Sequence, residues 1–299
     1  MEAPVYGAVP ERPGGGKVYM DEHREQSLNP ELIESGLHAG SIFRGKIFCH
    51  PAVDSTNTRA LARAEAGDPE GCVFLADEQT GGRGKPGRVW YSRAGEGLYM
   101  SVLLRPPVPP ARVPLLTLMA AVTVVEALSP ALGLSNSELR TANCELPHLD
   151  IKWPNDVLLN GRKLCGILSE MAMAGERVLH AVVGIGLNVH QAHFPPPLDA
   201  LATSLFLELG RHVGRARLAA GILNAFETWY IEFLQGRFDR ILTRWGNLST
   251  YTRGRPVTVE KNGERLTGIT GGLDAYGALL VERPGGALEV ISAGDILSG

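Results

Sequence analysis

The segment DIKWPNDVLLNGRKLCGILSEMAM, residues 150–173, decides the fold of this 299-residue chain. Two apolar runs in it, DVLL and KLCGILSEMAM, flank Asn160-Gly161. This dipeptide is a strong two-residue hairpin signal, because both residues tolerate positive φ. A third apolar run, RVLHAVVGIGLNV, follows a short turn at Gly175. The segment therefore predicts a β-meander over residues 150–189.

Helices and strands alternate on either side of this meander. SIFRGKIFCH, CVFLADEQ and LYMSVLLR are predicted strands, and DSTNTRALARAEAG is a predicted helix that Ser55 or Asp54 caps and Gly67 ends. An apolar run over residues 115–128 has the length of a helix, and residues 216–234 form an amphipathic one. The mixture predicts the α+β class, with a mixed, mostly antiparallel sheet.

The composition changes near residue 247, where short alternating strands and glycine turns begin. One of those turns is Asn262-Gly263, and the pattern predicts a small β-barrel. We therefore expect three parts. They are an irregular extension over residues 1–40 with ELIESGL as a short helix, a main domain over residues 41–246, and the barrel over residues 247–299.

The bulk properties exclude several classes of protein. The chain is 44% hydrophobic with a net charge of -3, which disfavours a protein that binds nucleic acid non-specifically. Its four cysteines form no CxxC pair, so reduced thiols are expected. No apolar run approaches the roughly 20 residues of a membrane span, and no signal-peptide pattern opens the chain. A cytoplasmic protein without a membrane or nucleic-acid partner is the expectation.

The loop EQTGGRGKPGRVWYS, residues 78–92, concentrates glycine and positive charge. Its glycines allow the backbone to approach a ligand closely. Arg83, Lys85 and Arg88 can bind phosphate or carboxylate oxygens. The loop therefore predicts an anion site, and the alternative is a solvated basic hairpin.

Three known glycine motifs fit this loop incompletely. The spacing G-x-G-x-x-G is present, but no helix begins in the run as a dinucleotide-binding fold requires. A kinase loop would need HRD and DFG segments, which the sequence lacks. A P-loop fails because Gln79 and Pro86 stand where glycine and serine or threonine are required.

Three further segments accompany the loop: DSTN at 54–57, KWPND at 152–156 and GIGLN at 184–188. Taken singly, they are a helix cap, a surface turn and a tight packing site. In this order, with GRGxxGRxW and RKLCGIL, they resemble the biotin–protein ligase family. The resemblance covers the chain from about residue 47 to its end.

This resemblance implies a catalytic domain related to class II aminoacyl-tRNA synthetases, followed by an SH3-like β-barrel. It implies that ATP and biotin form biotinyl-5′-AMP, with Mg²⁺ accompanying ATP. Biotin then passes to a lysine of a biotin carboxyl carrier domain, such as that of acetyl-CoA carboxylase. Members of the family are monomers or homodimers.

The family's functional residues carry over onto matching positions here. Lys152 and Arg83 are the implied catalytic residues. The implied biotin-binding residues are Ser55, Thr56, Asn57, Gln79, Arg83, Gly84, Lys85 and Lys152. The implied ATP- and adenylate-binding residues are Arg88, Trp90, Asn155 and Asn188. Asp156 is a possible outer ligand of Mg²⁺, or else a cap of the KWPND turn.

Some features depart from the family or stay open. Lys85-Pro86 stands where many relatives carry an arginine and another residue. Lysine keeps the charge but cannot form the bidentate contacts of arginine, so the effect on retention of the adenylate stays open. The polar stretch over residues 135–149 has no assigned role, and residues 190–205 are a candidate second flap. His190 and His193 have HxxH spacing but no evident third metal ligand.

Other functions compete with this interpretation. The nearest rival is an acyltransferase of the same superfamily that handles lipoate or octanoate. A non-enzymatic biotin or nucleotide sensor and an RNA-binding module are further alternatives. No added DNA-binding domain is visible, so a repressor is not expected.

Overall fold

The computed structural model describes residues 28–85, 87–134, 147–261 and 263–298. Predictions that concern residues 1–27, Pro86, residues 135–146 or Asn262 lie outside the described residues.

The helices and strands are numbered in chain order. The helices are α1 (Pro30–Ser35), α2 (Thr56–Glu65), α3 (Leu115–Leu128), α4 (Leu205–Leu209), α5 (Arg215–Leu234) and α6 (Phe238–Asn247). The first seven strands are β1 (Ile47–Val53), β2 (Val73–Gln79), β3 (Gly97–Leu104), β4 (Leu149–Lys152), β5 (Asp156–Leu159), β6 (Arg162–Ala174) and β7 (Arg177–Asn188). The others are β8 (Arg253–Lys261), β9 (Glu264–Leu273), β10 (Leu279–Glu282), β11 (Leu288–Ile291) and β12 (Asp295–Ser298).

Among the described residues, seven strands form one sheet in the order β1-β2-β3-β7-β6-β5-β4. β1 and β2 run parallel, whereas the neighbours from β2 onward pair antiparallel. The predicted meander is confirmed as β4 to β7. Asn160 and Gly161 turn the β5–β6 hairpin with φ of 51° and 77°, the left-handed values that this turn requires.

The carboxyl-terminal strands form a second sheet in the order β11-β10-β9-β8-β12. The two sheets and their helices agree with the expected α+β class and with a separate β-rich end. The last strand, β12, pairs antiparallel with β8. This pairing places the start of β12 beside the glycine loop, where Asp295 contacts two of the loop's cations.

Helices cover both faces of the large sheet. The main core lies between the sheet and helices α3 and α5, and α3 is buried on almost all sides. A smaller cluster packs α2 against the opposite face through Ala60, Phe74, Leu103 and Val182. The cavity described below opens on this second face, beside the first turn of α2.

The expectation that no apolar run reaches the length of a membrane span is wrong. Within the described residues, one helical stretch over Pro110–Leu132 is long and apolar enough by length and composition. However, 72% of its apolar window is buried inside the fold. Its hydrophobicity is therefore explained by its position at the centre of the core.

Several predicted boundaries need correction. The short helix expected in ELIESGL is confirmed as α1, which buries Ile33, and Leu37 after it also lies in the core. SIFRGKIFCH is a strand only from Ile47, since turns occupy its first half. Helix α6 was not predicted, although it buries Ile241 and Trp245 on one face.

The cysteines of the described residues are free thiols, as expected. Cys72 and Cys165 are buried and Cys49 is partly buried. Burial raises the pKa of the Cys49 thiol to about 12, so it stays protonated at neutral pH. Cys144 lies outside the described residues.

Candidate active site

A cavity of about 580 Å³ lies on the sheet face that carries the first turn of α2. The glycine loop, the flap after β7 and the start of β12 complete its walls. Every residue that the sequence assigned to the site lines this cavity. These residues are Ser55, Thr56, Asn57, Gln79, Arg83, Gly84, Lys85, Arg88, Trp90, Lys152, Asn155, Asp156 and Asn188.

The glycine loop is a short hairpin folded back on itself. The Trp90 amide donates to the Gly82 carbonyl at 2.9 Å, and the Gly84 amide donates to the Arg88 carbonyl at 2.9 Å. Gly87 has a φ of 79°, a left-handed value that favours glycine at the turn. The loop thus holds its cations on a defined backbone.

Each loop cation is paired with a carboxylate from a distant part of the chain. Arg83 lies 2.8 Å from Glu170 on β6. Lys85 and Arg88 lie 2.5 Å and 2.8 Å from the two oxygens of Asp295. The alternative of a solvated basic hairpin holds only in part, because Arg83 and Arg88 are 41% and 58% exposed but each has a carboxylate partner.

Asp295 is ionised although it is partly buried. Burial opposes its charge, but the Lys85 hydrogen bond and charge, together with Arg88, outweigh burial and hold the pKa of this carboxyl below its usual value. One carboxylate thus offsets part of the charge of two loop cations.

Lys152 differs from the other cations of the cavity. It ends β4 and lines the cavity, and no hydrogen bond or ion pair to its ammonium is found among the described residues. Burial lowers its pKa from 10.5, while Asp156 opposes that shift. Asp156 itself pairs with Lys163 at 2.7 Å. Lys152 is therefore available to an anion that enters the cavity.

A connected set of polar side chains lies beneath the cavity. Ser101, fully buried on β3, places its Oγ 2.6 Å from Asn57 Oδ1 and 2.7 Å from Thr56 Oγ1. Because an amide oxygen carries no proton, the serine hydroxyl must donate to Asn57. Gln79 Oε1 accepts from the Thr56 amide at 2.9 Å, and Gln79 Nε2 donates to Ser92 at 3.0 Å.

The glycines of GIGLN have a steric explanation. A Cβ at Gly184 would lie 2.1 Å from Asn57 Oδ1, and one at Gly186 would lie 2.6 Å from the Trp90 ring. A Cβ at Gly166 on β6 would also meet that ring, at 2.8 Å. The glycines therefore let helix α2 and the Trp90 indole lie directly on the sheet. The Trp90 Nε1 is buried and has no hydrogen-bond partner among the described residues.

Two predicted ligand contacts are occupied by the protein itself. The Asn155 amide donates to the Ile167 carbonyl at 2.9 Å, and the Asn188 amide donates to the Thr203 carbonyl at 3.0 Å. Both residues line the cavity, but these bonds mainly brace the KWPND turn and the flap. Ser55 occupies the first capping position of α2, but its side chain makes no capping hydrogen bond, contrary to that expectation.

The predicted flap borders the cavity with apolar side chains. Phe194, Leu198 and Leu201 line it, and Leu201 is 61% exposed. A large exposed leucine at a cavity mouth suits contact with the flat face of a ligand. His190 places its ring nitrogens near the carbonyls of Gly95 and Val213, so its contacts are with the backbone.

Sequence reasoning missed several residues that shape the site. They are Ser92, Ser101, Lys163, Glu170 and Asp295. Glu170 lies two residues after the segment RKLCGIL, so a motif extended by two residues would have included it. Asp295 has no local signal, since its partner Lys85 is 210 residues away in the chain.

Comparison with known proteins shows which family has this site. The model of the Biotin/lipoate A/B protein ligase family matches residues 50–188, and that of the Biotin protein ligase C terminal domain matches residues 252–298. The "Biotin--[acetyl-CoA-carboxylase] ligase" of Mycobacterium tuberculosis is 35% identical, over 91% of this chain and 94% of that protein. The chain belongs to the biotin protein ligase family.

Other relatives of this ligase support the same assignment. The "Bifunctional ligase/repressor BirA" of Bacillus subtilis is 38% identical, over 88% of this chain and 78% of that protein. A solved structure, "Biotin protein ligase from Aquifex aeolicus in complex with biotin and ATP", superposes with a TM-score of 0.69 at 27% identity. It covers 84% of this chain and 97% of the Aquifex chain. The ligase resemblance inferred from the four motifs is thereby confirmed.

Proposed function

We propose that this ligase activates biotin with ATP and then transfers it to a lysine of a biotin carboxyl carrier domain, such as that of acetyl-CoA carboxylase. The observation that carries the proposal is Lys152, which has no ion-pair partner among the described residues, in a cavity that also holds three loop cations. This arrangement suits the meeting of two anions, a carboxylate and a phosphate.

The proposed reaction has two steps. A biotin carboxylate oxygen attacks the α-phosphorus of ATP, and the bond to the β-phosphate breaks to release pyrophosphate. The neutral amine of the acceptor lysine then attacks the acyl carbon, AMP leaves with the bonding electrons, and the amine loses a proton. The protein contributes chiefly position and charge neutralisation, and no covalent enzyme intermediate forms.

The biotin end of the cavity lies over α2. Ser55, Thr56 and Asn57 bind or border the ureido ring, with Gln79 beside them. Their mutual hydrogen bonds hold the polar atoms in place before a ligand arrives. Such preorganisation lowers the cost of binding.

The reacting groups meet between Lys152 and the loop. Lys152 bridges the biotin carboxylate and the α-phosphate, and Arg83, Gly84 and Lys85 hold the carboxylate or the anhydride phosphate. No carboxylate of the described residues forms an ion pair with Lys152, although Asp156 stabilises its charge from farther away. Its full interaction is available to the charge that develops in the transition state.

The nucleotide end lies toward β12 and the flap. Arg88 meets the ATP phosphates and Trp90 borders the adenine, while Asn155 and Asn188 support this wall. No group of three His, Cys, Asp or Glu side chains in the described part of the chain forms a metal site. Mg²⁺ that accompanies ATP would be held largely by phosphate and water. Asp156, which pairs with Lys163 here, would be its outer ligand or else cap the KWPND turn.

The proposal also covers the fold type of each domain, the cellular location and the oligomeric state. The large sheet with its helices is a class II aminoacyl-tRNA synthetase-like catalytic domain over residues 41–246, and residues 247–299 form an SH3-like barrel. The enzyme acts in the cytoplasm as a monomer or homodimer, without a membrane or nucleic-acid partner.

Titration calorimetry with biotin and with lipoate tests the substrate. We expect biotin to bind and lipoate to bind far more weakly, because the polar groups over α2 match a ureido ring. Binding of lipoate without binding of biotin would transfer the proposal to the lipoate branch of the superfamily.

A further inference from the structure

We infer that Glu170 is a positioning residue that orients both Asn57 at the biotin end of the cavity and Arg83 on the glycine loop. A single oxygen, Glu170 Oε2, accepts from Asn57 Nδ2 at 2.8 Å and from Arg83 Nη2 at 2.8 Å. The inference rests on the proposed function, because it assigns biotin to this end of the cavity.

The strand alternation places Glu170 on the face of the sheet that carries the cavity. Successive side chains of a strand point to opposite faces. Gly166 faces the Trp90 ring, and Glu170 lies on that same face of β6. Ser169 lies on the other face, where it accepts a hydrogen bond from Thr117 on α3 at 2.9 Å. An acidic side chain at position 170 thus lies over the ligand-facing side of the sheet and not in the core.

Glu170 settles the orientation of the Asn57 amide. Asn57 is 4% exposed, and its Nδ2 donates both to the Leu168 carbonyl at 3.2 Å and to Glu170. Its Oδ1 accepts from Ser101 at 2.6 Å. Both donor hydrogens are therefore used, and an amide oxygen with a free lone pair remains. The fixed amide can offer that acceptor to an N–H group such as those of a ureido ring.

Glu170 also fixes the Arg83 guanidinium. One nitrogen of Arg83 binds Glu170, and the other N–H groups make no hydrogen bond within the described residues. A guanidinium held at one corner keeps its remaining donors in a defined plane. Because Arg83 belongs to the glycine loop, Glu170 links the loop to the biotin end of the cavity.

Folding stability alone does not account for this arrangement. The side chains of Arg83 and Glu170 are 41% and 27% exposed, and ion pairs with such exposure contribute little to folding. If Glu170 is a positioning residue, its substitution should weaken the binding of biotin specifically. If its role is structural, the substitution should weaken the binding of biotin and ATP alike and lower the melting temperature.

The test measures the affinities of biotin and ATP in the full chain bearing Glu170→Gln. A glutamine oxygen can still accept from both donors, but it carries no charge, so both hydrogen bonds lose their charge assistance and Arg83 loses its ion pair. We expect the Kd of biotin to rise about tenfold, equivalent to about 1.4 kcal/mol. The KM of ATP should change less than about twofold, and the melting temperature should stay that of the parent.

A double-mutant cycle with Arg83→Gln supplies the second measurement. Since both substitutions break the Glu170–Arg83 pair, the double variant should lose less biotin affinity than the sum of the two single losses. Glu289→Gln is the matched control, because it removes an exposed glutamate–arginine pair, with Arg283, in the second sheet. We expect it to leave both affinities unchanged.

Three results would overturn the inference. They are unchanged or tighter biotin binding by Glu170→Gln, losses that add in the double variant, and equal losses for biotin and ATP with a lower melting temperature. If the parent itself binds no biotin, the proposed function fails first, and this outcome is distinct from the other three.

Discussion

At the scale of single residues, the site is a set of cations that differ in their partners. Arg83, Lys85 and Arg88 each contact a carboxylate, and Lys163 contacts Asp156. The motifs predicted the cations because lysine, arginine and glycine cluster locally in the sequence. They could not predict the carboxylates, since Glu170 is 87 residues from its partner Arg83.

Lys152→Ala tests the residue assigned to the reacting centre. We expect adenylate formation to fall by at least about a hundredfold, because the variant loses the charge that bridges carboxylate and phosphate. Biotin binding should remain measurable, since the contacts over α2 persist. Pyrophosphate release reports the first quantity and calorimetry the second. Normal pyrophosphate release would show that Lys152 has no such role.

The pH dependence of pyrophosphate release follows from the same residue. Burial lowers the pKa of Lys152 below 10.5, so the ammonium loses its proton at a lower pH than a free lysine does. The rate should therefore fall as pH rises through this lowered pKa. Lys152→Arg keeps its charge over that range and should not show this decline. A parent profile that stays flat up to the usual lysine pKa would contradict this expectation.

At the scale of elements, local patterns predicted most of the strands and helices. The Asn160-Gly161 turn and the apolar run of α3 are strong local signals. Helix α6 has apolar residues at Phe238, Ile241 and Trp245, a helical spacing that was present but not used. Local patterns cannot show how closely two elements pack. The close packing of helix α2 on strand β7 is an example.

Gly184→Ala tests that approach of helix α2 to strand β7. The new methyl group would lie 2.1 Å from Asn57 Oδ1, so the amide must move and leave Ser101 and Glu170. We expect biotin affinity to fall about tenfold or more and the protein to lose roughly 1–3 kcal/mol of stability.

Gly221→Ala on α5 is the control for this substitution. Apart from its chain neighbours and the backbone of its own helix, no atom lies within 4 Å of a Cβ at that position. Alanine favours a helix over glycine by about 0.5–1 kcal/mol. The control should raise the melting temperature slightly and leave biotin binding unchanged. Equal biotin affinity in the two variants would refute the steric explanation of the glycine.

At the scale of the whole molecule, the second sheet takes part in the site. Asp295 opens β12 and holds Lys85 and Arg88, and Lys85 also donates to the Gly294 carbonyl at 2.9 Å. The sequence predicted a separate β-rich end but no contact between that end and the loop. Pairing between parts of the chain so far apart carries no local pattern.

Asp295→Asn tests this link between the second sheet and the loop. Loss of the carboxylate should release the nucleotide end of the loop, so the KM of ATP should rise about threefold to tenfold. Biotin affinity should change less than the KM of ATP, because Asp295 holds only Lys85 among the cations assigned to biotin and Glu170 still holds Arg83. Glu282→Gln, an exposed change in the same sheet, is the control. Tighter ATP binding would instead mean that Asp295 competes with the phosphates for the loop cations.

The central claim is that this ligase uses ATP to attach biotin to a carrier domain. The most direct measurement is the transfer of radiolabelled biotin to a biotin carboxyl carrier domain, with and without ATP, for the parent and for Lys152→Ala. We expect label on the carrier only with ATP and the parent enzyme. A carrier that stays unlabelled with ATP present, or that is labelled equally without ATP, would contradict the account.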